Sequence, residues 1–148
     1  MEEKWKSIEG LEAIIEKAVQ QTCLALKDQE GQELEVSILL ASDEKVQELN
    51  KKYRGKDKPT NVLSFPGICN NEGSGSILLG DIILSYETIL AESISGDKPH
   101  MDHITHLVVH GVLHLFGYDH EDEVSASEME NIEISILKEF GIKNPYAV

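Results

Sequence analysis

Apolar residues recur along this chain with two periods, and the alternation between them lays out its elements. Ile8, Leu11, Ile15, Ala18, Thr22 and Ala25 fall three or four positions apart with Glu, Lys and Gln between them, which predicts an amphipathic helix over residues 7–28. Asp28 to Gly31 ends it. Leu34, Val36, Ile38 and Leu40 alternate, as one face of a strand over 34–40 would. Ser42 stands where an N-cap is needed for a helix over 43–53 that turns Val46 and Leu49 inward. A second strand at 62–65 is closed by Pro66, and the order strand, helix, strand suggests a βαβ unit with parallel strands.

The following stretch to Ser76 holds three glycines and two asparagines and reads as a loop. Residues 77–84 form the most apolar strand, interrupted by Gly80-Asp81, and Ser85 caps a helix over 86–95. Gly96 to Pro99 breaks the chain before a helix over 101–116. A last helix over 123–140 carries Met129, Ile132, Ile136 and Phe140 in one stripe and meets Gly141 as its C-cap. With no internal repeat, low-complexity run or dividing linker, residues 1–148 are expected to form a single α/β domain of the α+β type. Its architecture is a small mixed sheet flanked by helices.

Composition changes this picture little: 41% hydrophobic and 27% charged residues are ordinary for a soluble globular protein. No apolar run approaches the roughly 20 residues of a membrane span, and Met-Glu-Glu-Lys-Trp lacks a signal peptide's apolar core, so a cytoplasmic protein is expected. Cys23 and Cys69 form no metal-ligand or redox spacing. Charge matters more. A formal net charge of −14 repels phosphates, yet five of the 13 basic residues (Lys51, Lys52, Arg54, Lys56 and Lys58) are concentrated in one short segment. That patch is either a solvated, salt-bridged loop or the place where an otherwise acidic protein holds an anionic ligand.

The histidines carry the chemistry. His103, His106, His110 and His114 fall on one side of the fourth predicted helix, and His120 follows beyond Gly117. His106 and His114 are about 12 Å apart along a straight helix axis, too far to share an ion with bonds of about 2.1 Å. A pair one turn apart therefore needs a third ligand from elsewhere. His120, brought round by a glycine that can adopt positive φ, completes the set His110, His114 and His120 most directly. Three imidazoles leave a coordination position open, the pattern of a catalytic zinc at the end of a central helix. His103 and His106 are left as core residues or as supports for the ligands.

The spacing matches the zinc motif of metzincin proteases, His-Glu-x-x-His-x-x-Gly-x-x-His, except that Gly111 replaces the glutamate that serves as base. A metalloprotease would thus need a base recruited from elsewhere.

His110-Gly-Val-Leu-His114-Leu-Phe-Gly117-Tyr118-Asp119-His120 resembles the signature of the YbeY family of bacterial metal-dependent endoribonucleases. Arg54-Gly-Lys-Asp-Lys-Pro59-Thr60-Asn61-Val62-Leu63-Ser64-Phe65-Pro66 and Leu79-Gly80-Asp81-Ile82 with Ser85 resemble two further blocks of that family, in the same order. The resemblance covers roughly residues 50–130. It implies a mixed α/β fold, one zinc or similar divalent ion on His110, His114 and His120, and an arginine, Arg54, that contacts RNA phosphate. It also implies single-stranded rRNA as substrate, with roles in maturation of the small-subunit rRNA 3′ end and in ribosome quality control, and hence ribosomal partners.

Such a site suits phosphodiester hydrolysis. Three neutral imidazoles leave an ion its full charge, and bound water is then acidified to a pKa of about 7 without a glutamate base. Arg54 would offer the phosphate a bidentate contact, and Lys51, Lys52, Lys56 and Lys58 the attraction that the remaining surface lacks. Asp81 is either a carboxylate that orients a ligand imidazole or a turn residue beside Gly80. A ribosome assembly factor whose metal is only structural remains the non-catalytic alternative.

Overall fold

A computed structural model describes residues 3–26, 33–67, 76–119 and 121–146. The helix stop at 28–31, most of the loop after Pro66, Cys69 and His120 lie outside the described residues. The elements run α1 (Leu11–Leu26), β1 (Glu33–Ala41), α2 (Asp43–Arg54), β2 (Val62–Pro66), β3 (Ser76–Ser85), α3 (Tyr86–Ser95), α4 (His100–Leu115) and α5 (Glu123–Glu139), preceded by a 3₁₀ turn at Glu3–Ser7. Each element expected from periodicity is present within a few residues of its expected ends. The sheet is mixed and the architecture is α+β, as the pattern suggested.

The strand pairing corrects one expectation. The strands lie in the order β1-β3-β2, with β1 parallel to β3 and β2 antiparallel to β3. Thus β1 and β2 are not the parallel neighbours of a βαβ unit. β2 instead folds back on β3, placing Ser64 opposite Ile82 and Phe65 opposite Asp81. The parallel partner of β1 comes one strand later.

Gly80 marks a bulge where the β1–β3 register slips by a residue, because Glu35 pairs with Leu78 but Val36 with Gly80. Its φ is +150°, and a Cβ there would lie 2.2 Å from the carbonyl oxygen of Phe65. Only glycine fits.

Alternation along the strands sends two sets of side chains to opposite faces. Leu40, Ile82 and Leu84 join Ile104, Val108, Val112 and Leu113 of α4, together with α1 and α5, in the main core. On the other face, Ala41, Leu63 and Ile83 pack with Val46 of α2. α4 is the central element, buried along most of its length and packed against α1, α3, α5 and the sheet. Burying a leucine or valine here contributes about 1.5–3 kcal/mol, so the helix that carries the histidines is among the most firmly held parts of the molecule.

The element ends follow local chemistry. Ser42 Oγ accepts from the Lys45 amide at 3.4 Å and Asp122 from the Ser125 amide at 2.8 Å, as N-caps do. Ser85 stands at the N-cap position of α3 but makes no capping bond. Its hydroxyl donates instead to Asp43 of α2, which also accepts from the Thr88 amide at 3.1 Å and the Thr88 hydroxyl at 2.6 Å. Trp5, to which periodicity assigned nothing, is 1% exposed; its indole N–H donates to the Ala41 carbonyl at 2.8 Å and closes that end of the sheet.

Candidate metal centre and cleft

α4 ends in a Schellman motif: the Gly117 amide bonds the His114 carbonyl at 3.0 Å and the Tyr118 amide the Leu113 carbonyl at 3.1 Å. Gly117 sits at φ +100°, the positive angle expected of it, and turns the chain away from the helix axis. His110 and His114 occupy the last turns of α4, where the helix dipole favours a cation.

The ring geometry of these two histidines is that of converging ligands. His110 Nε2 and His114 Nε2 are 3.0 Å apart, with rings 4.6 Å between centroids and nearly perpendicular. Two nitrogens on one ion with bonds of about 2.1 Å would stand about this far apart. The opposite nitrogen of His110, Nδ1, donates to Oε1 of Glu133 on α5. Glu133 is 0% exposed, and its other oxygen accepts from His106 Nε2 at 3.1 Å and from the Tyr146 hydroxyl. Burial alone would raise the Glu133 carboxyl; the bonds from His106 and His110, the charge of His110 and the Tyr146 bond outweigh it and bring it down to about 2. It is a carboxylate at any physiological pH. Burial and the bond to Glu133 push the Tyr146 phenol well above its ordinary range, so it stays a donor.

His106, His110 and Glu133 each place one ligand atom within 4.8 Å of the others, so this group can hold a metal ion. The arrangement offers His110 two roles that use different nitrogens. An ion among His106, His110 and Glu133 that took His110 through Nδ1 would displace the contact between Nδ1 and Glu133, at a carboxylate with no exposed surface. An ion on the His110 and His114 Nε2 atoms leaves that contact intact, as the carboxylate that fixes tautomer and ring orientation behind a ligand histidine.

Those Nε2 atoms belong to residues that line a cleft of about 460 Å³, whose walls also include Arg54, Thr60, Asn61 and Ser64. Arg54, at the end of α2, reaches across to β2. Its Nη2 donates to the Ser64 carbonyl at 2.9 Å, and its guanidinium lies 5.5 Å from the Phe65 ring centre. The Ser64 hydroxyl donates to the Gly111 carbonyl at 3.3 Å, so α2, β2 and α4 are tied together along the cleft.

Lys51, Lys52, Lys56 and Lys58 are exposed around the end of α2 and are not among the residues lining the cleft. Lys51 lies 3.9 Å from Asp57, and Lys52 lies over the Tyr53 ring. The third expected ligand, His120, is outside the described residues.

The remaining candidates separate clearly. His103 Nε2 is 2.9 Å from Glu92, and burial lowers its pKa despite that bond, which makes it a neutral core histidine. Asp81 is exposed and, by alternation with the buried Ile82, points to the face away from α4. It therefore cannot orient an imidazole there. Glu133 has that place, and no reading of the histidine motif found it. The signal was a glutamate inside the apolar stripe of α5, four residues after Met129 and three before Ile136.

Gly111 has a structural reason of its own. It is buried against the sheet, and a Cβ there would meet Ile82 Cδ1 at 3.0 Å and Ser64 Oγ at 3.2 Å. At the position that carries the base in zinc proteases, even a methyl group would press on its neighbours.

Comparison with known proteins places the chain in a family. The family model described as Endoribonuclease YbeY matches residues 1–141. Proteins named Endoribonuclease YbeY from Nitrobacter hamburgensis and Agrobacterium fabrum are each 44% identical over 98% of this chain, spanning 78% and 90% of their own lengths. The one from Magnetococcus marinus is 51% identical over 76% of the chain and 83% of its own length. The fold is similar to the solution structure of a Thermotoga maritima protein, with a TM-score of 0.52 at 24% identity, covering 97% of this chain and 93% of that one. No described helix is long and apolar enough to cross a membrane. A family match along nearly all of the sequence, with relatives this close, shows that the chain belongs to the YbeY endoribonuclease family.

Proposed function

We propose that this protein is a metal-dependent endoribonuclease that cuts single-stranded RNA, with His110, His114 and His120 holding one divalent ion, zinc by preference, and Arg54 binding the scissile phosphate. The observation that carries the reading is the shared cleft: a tethered guanidinium and a pair of converging imidazoles line the same space. A bound divalent ion would supply Lewis acidity and an acidified water. The chain's own residues do the rest. Glu133 keeps the proton on His110 Nδ1 and so leaves Nε2 as the donor atom. Arg54 presents planar N–H groups to a phosphate and offsets the charge that grows on it in transfer. Lys51, Lys52, Lys56 and Lys58 draw the polyanion toward the mouth of the cleft, against the field of a chain with net charge −14.

The names of the relatives favour RNA as substrate. The finer reading is maturation of the small-subunit rRNA 3′ end and ribosome quality control by a single-domain protein of residues 1–148, acting with ribosomal partners in the cytoplasm. Proteolysis is not favoured, because Gly111 excludes a glutamate base. Metal analysis, combined with cleavage of a single-stranded rRNA fragment by wild type, His114→Ala and Arg54→Ala, tests the proposal. Wild type should carry about one divalent ion per chain and cut. His114→Ala should lose both properties, and Arg54→Ala should keep the ion while cutting at least about 100-fold more slowly. Ion-loaded wild type that leaves the fragment intact would refute it.

A further inference from the structure

Beyond α5 the chain does not trail away; it folds back onto the group that orients His110. Asn144 Oδ1 accepts from the Tyr146 amide at 2.8 Å, an Asx turn that together with Pro145 sets the direction of the last described residues. The turn delivers Tyr146 edge-on to His106, with ring centres 5.7 Å apart and planes at 90°, and its hydroxyl onto Glu133 Oε2. A tyrosine 13 positions from Glu133 in sequence thus supplies the bond that faces the His110 contact across the carboxylate.

We infer that Tyr146 is a positioning residue for the metal centre: by fixing the carboxylate plane of Glu133, it fixes the tautomer and orientation of His110. This deepens the function proposed above and rests on His110 being a ligand through Nε2. The physical reason lies in the glutamate side chain. Its last torsion has a broad, roughly two-fold minimum, so packing alone does not choose the rotation of the carboxylate plane. Donors on its oxygens narrow that choice, and each one added narrows it further. Here Oε1 takes His110, and Oε2 takes Tyr146 and His106. Without the phenol, Oε2 keeps only the 3.1 Å contact to His106. The fully buried carboxylate is then held by the two imidazoles alone, one on each oxygen, and can turn further toward either. His110 is then held less firmly, and the separation of its Nε2 from that of His114 is no longer set.

The test uses the full chain and Co²⁺ as the probe. Tyr146→Phe keeps the ring against His106 and deletes only the hydroxyl. Its Co²⁺ dissociation constant should rise about 10-fold, the lower end of the effect of removing an outer-shell partner. In ¹H–¹⁵N spectra of the metal-free protein, wild-type His110 should be protonated on Nδ1 alone, and the variant should show both tautomers. A merely structural tyrosine would lower the melting temperature and leave the His110 tautomer unchanged. Co²⁺ binding that is lost in His114→Ala but equal in wild type and Tyr146→Phe overturns this inference alone. Wild type that binds no Co²⁺ overturns the proposed function, and this inference with it.

Discussion

Gly111 is the position at which fold and chemistry can be separated by experiment. In Gly111→Ala the new methyl would lie 3.0 Å from Ile82 Cδ1, 3.2 Å from Ser64 Oγ and 3.3 Å from Ile82 Cγ1. Relieving contacts this tight in a packed core costs about 1–3 kcal/mol. Replacing glycine within a helix by alanine returns about 1 kcal/mol. The net expectation is a loss of about 0–2 kcal/mol, read as a fall of up to about 6 °C in melting temperature for a domain of this size. The closest clash is with a methyl that valine lacks, so Ile82→Val should suppress the penalty. Urea unfolding of wild type, both single variants and the double variant should give a favourable coupling of about 1 kcal/mol.

Gly111→Glu is predicted to be far worse, because it forces a carboxylate into the same space without a partner, at a cost of several kcal/mol. An additive cycle would refute the packing account of Gly111. A folded Gly111→Glu protein that digests casein would refute the stronger claim that the position cannot serve a protease.

Two further outcomes follow from the hydrogen-bond networks. Glu133→Gln should weaken divalent-ion binding about 10- to 100-fold with secondary structure retained, since an amide cannot accept on both sides as the carboxylate does; isothermal titration with Zn²⁺ checks this. Asp43 is pulled below its ordinary value: burial opposes this, but the bonds from the Ser85 and Thr88 hydroxyls and the Thr88 amide prevail, with help from Lys4. A depressed carboxyl stabilises the fold above its unfolded value of about 3.8 and loses that contribution as pH falls through its folded value. Asp43→Asn should therefore cost about 1–3 kcal/mol at pH 7 and less at pH 3, as urea unfolding at the two pH values would show. Equal losses at both would contradict the assignment.

What the sequence made legible follows from how local each signal is. Periods of two and 3.6 found the helices and strands because a one-sided core is written into consecutive positions. Strand pairing is not local. Nothing in Val62–Pro66 states that it will run antiparallel to Ser76–Ser85 rather than beside Glu33–Ala41, and the order strand, helix, strand suggested the wrong neighbour. The site divides in the same way. His110 and His114 were visible because their spacing is a helical turn and their rings meet as that spacing requires. Glu133 lies 23 positions from its partner His110, one of 27 acidic residues, and only the packing of α5 on α4 gives it meaning. Asp81, nearer in motif and plausible in charge, is excluded by the parity of its strand.

The tether of Arg54 has a thermodynamic corollary. A long side chain at a helix end ordinarily samples many rotamers, and an incoming anion must halt them, at about 0.5–1.5 kcal/mol for each side chain immobilised. Here the Ser64 carbonyl, on a strand itself fastened to α4 through the Gly111 carbonyl, has already narrowed that sampling during folding. The guanidinium awaits its ligand in a restricted set of poses. Anion capture in this cleft should accordingly show a smaller entropic penalty than capture by the exposed lysines nearby, and calorimetry of a short oligonucleotide would register the difference.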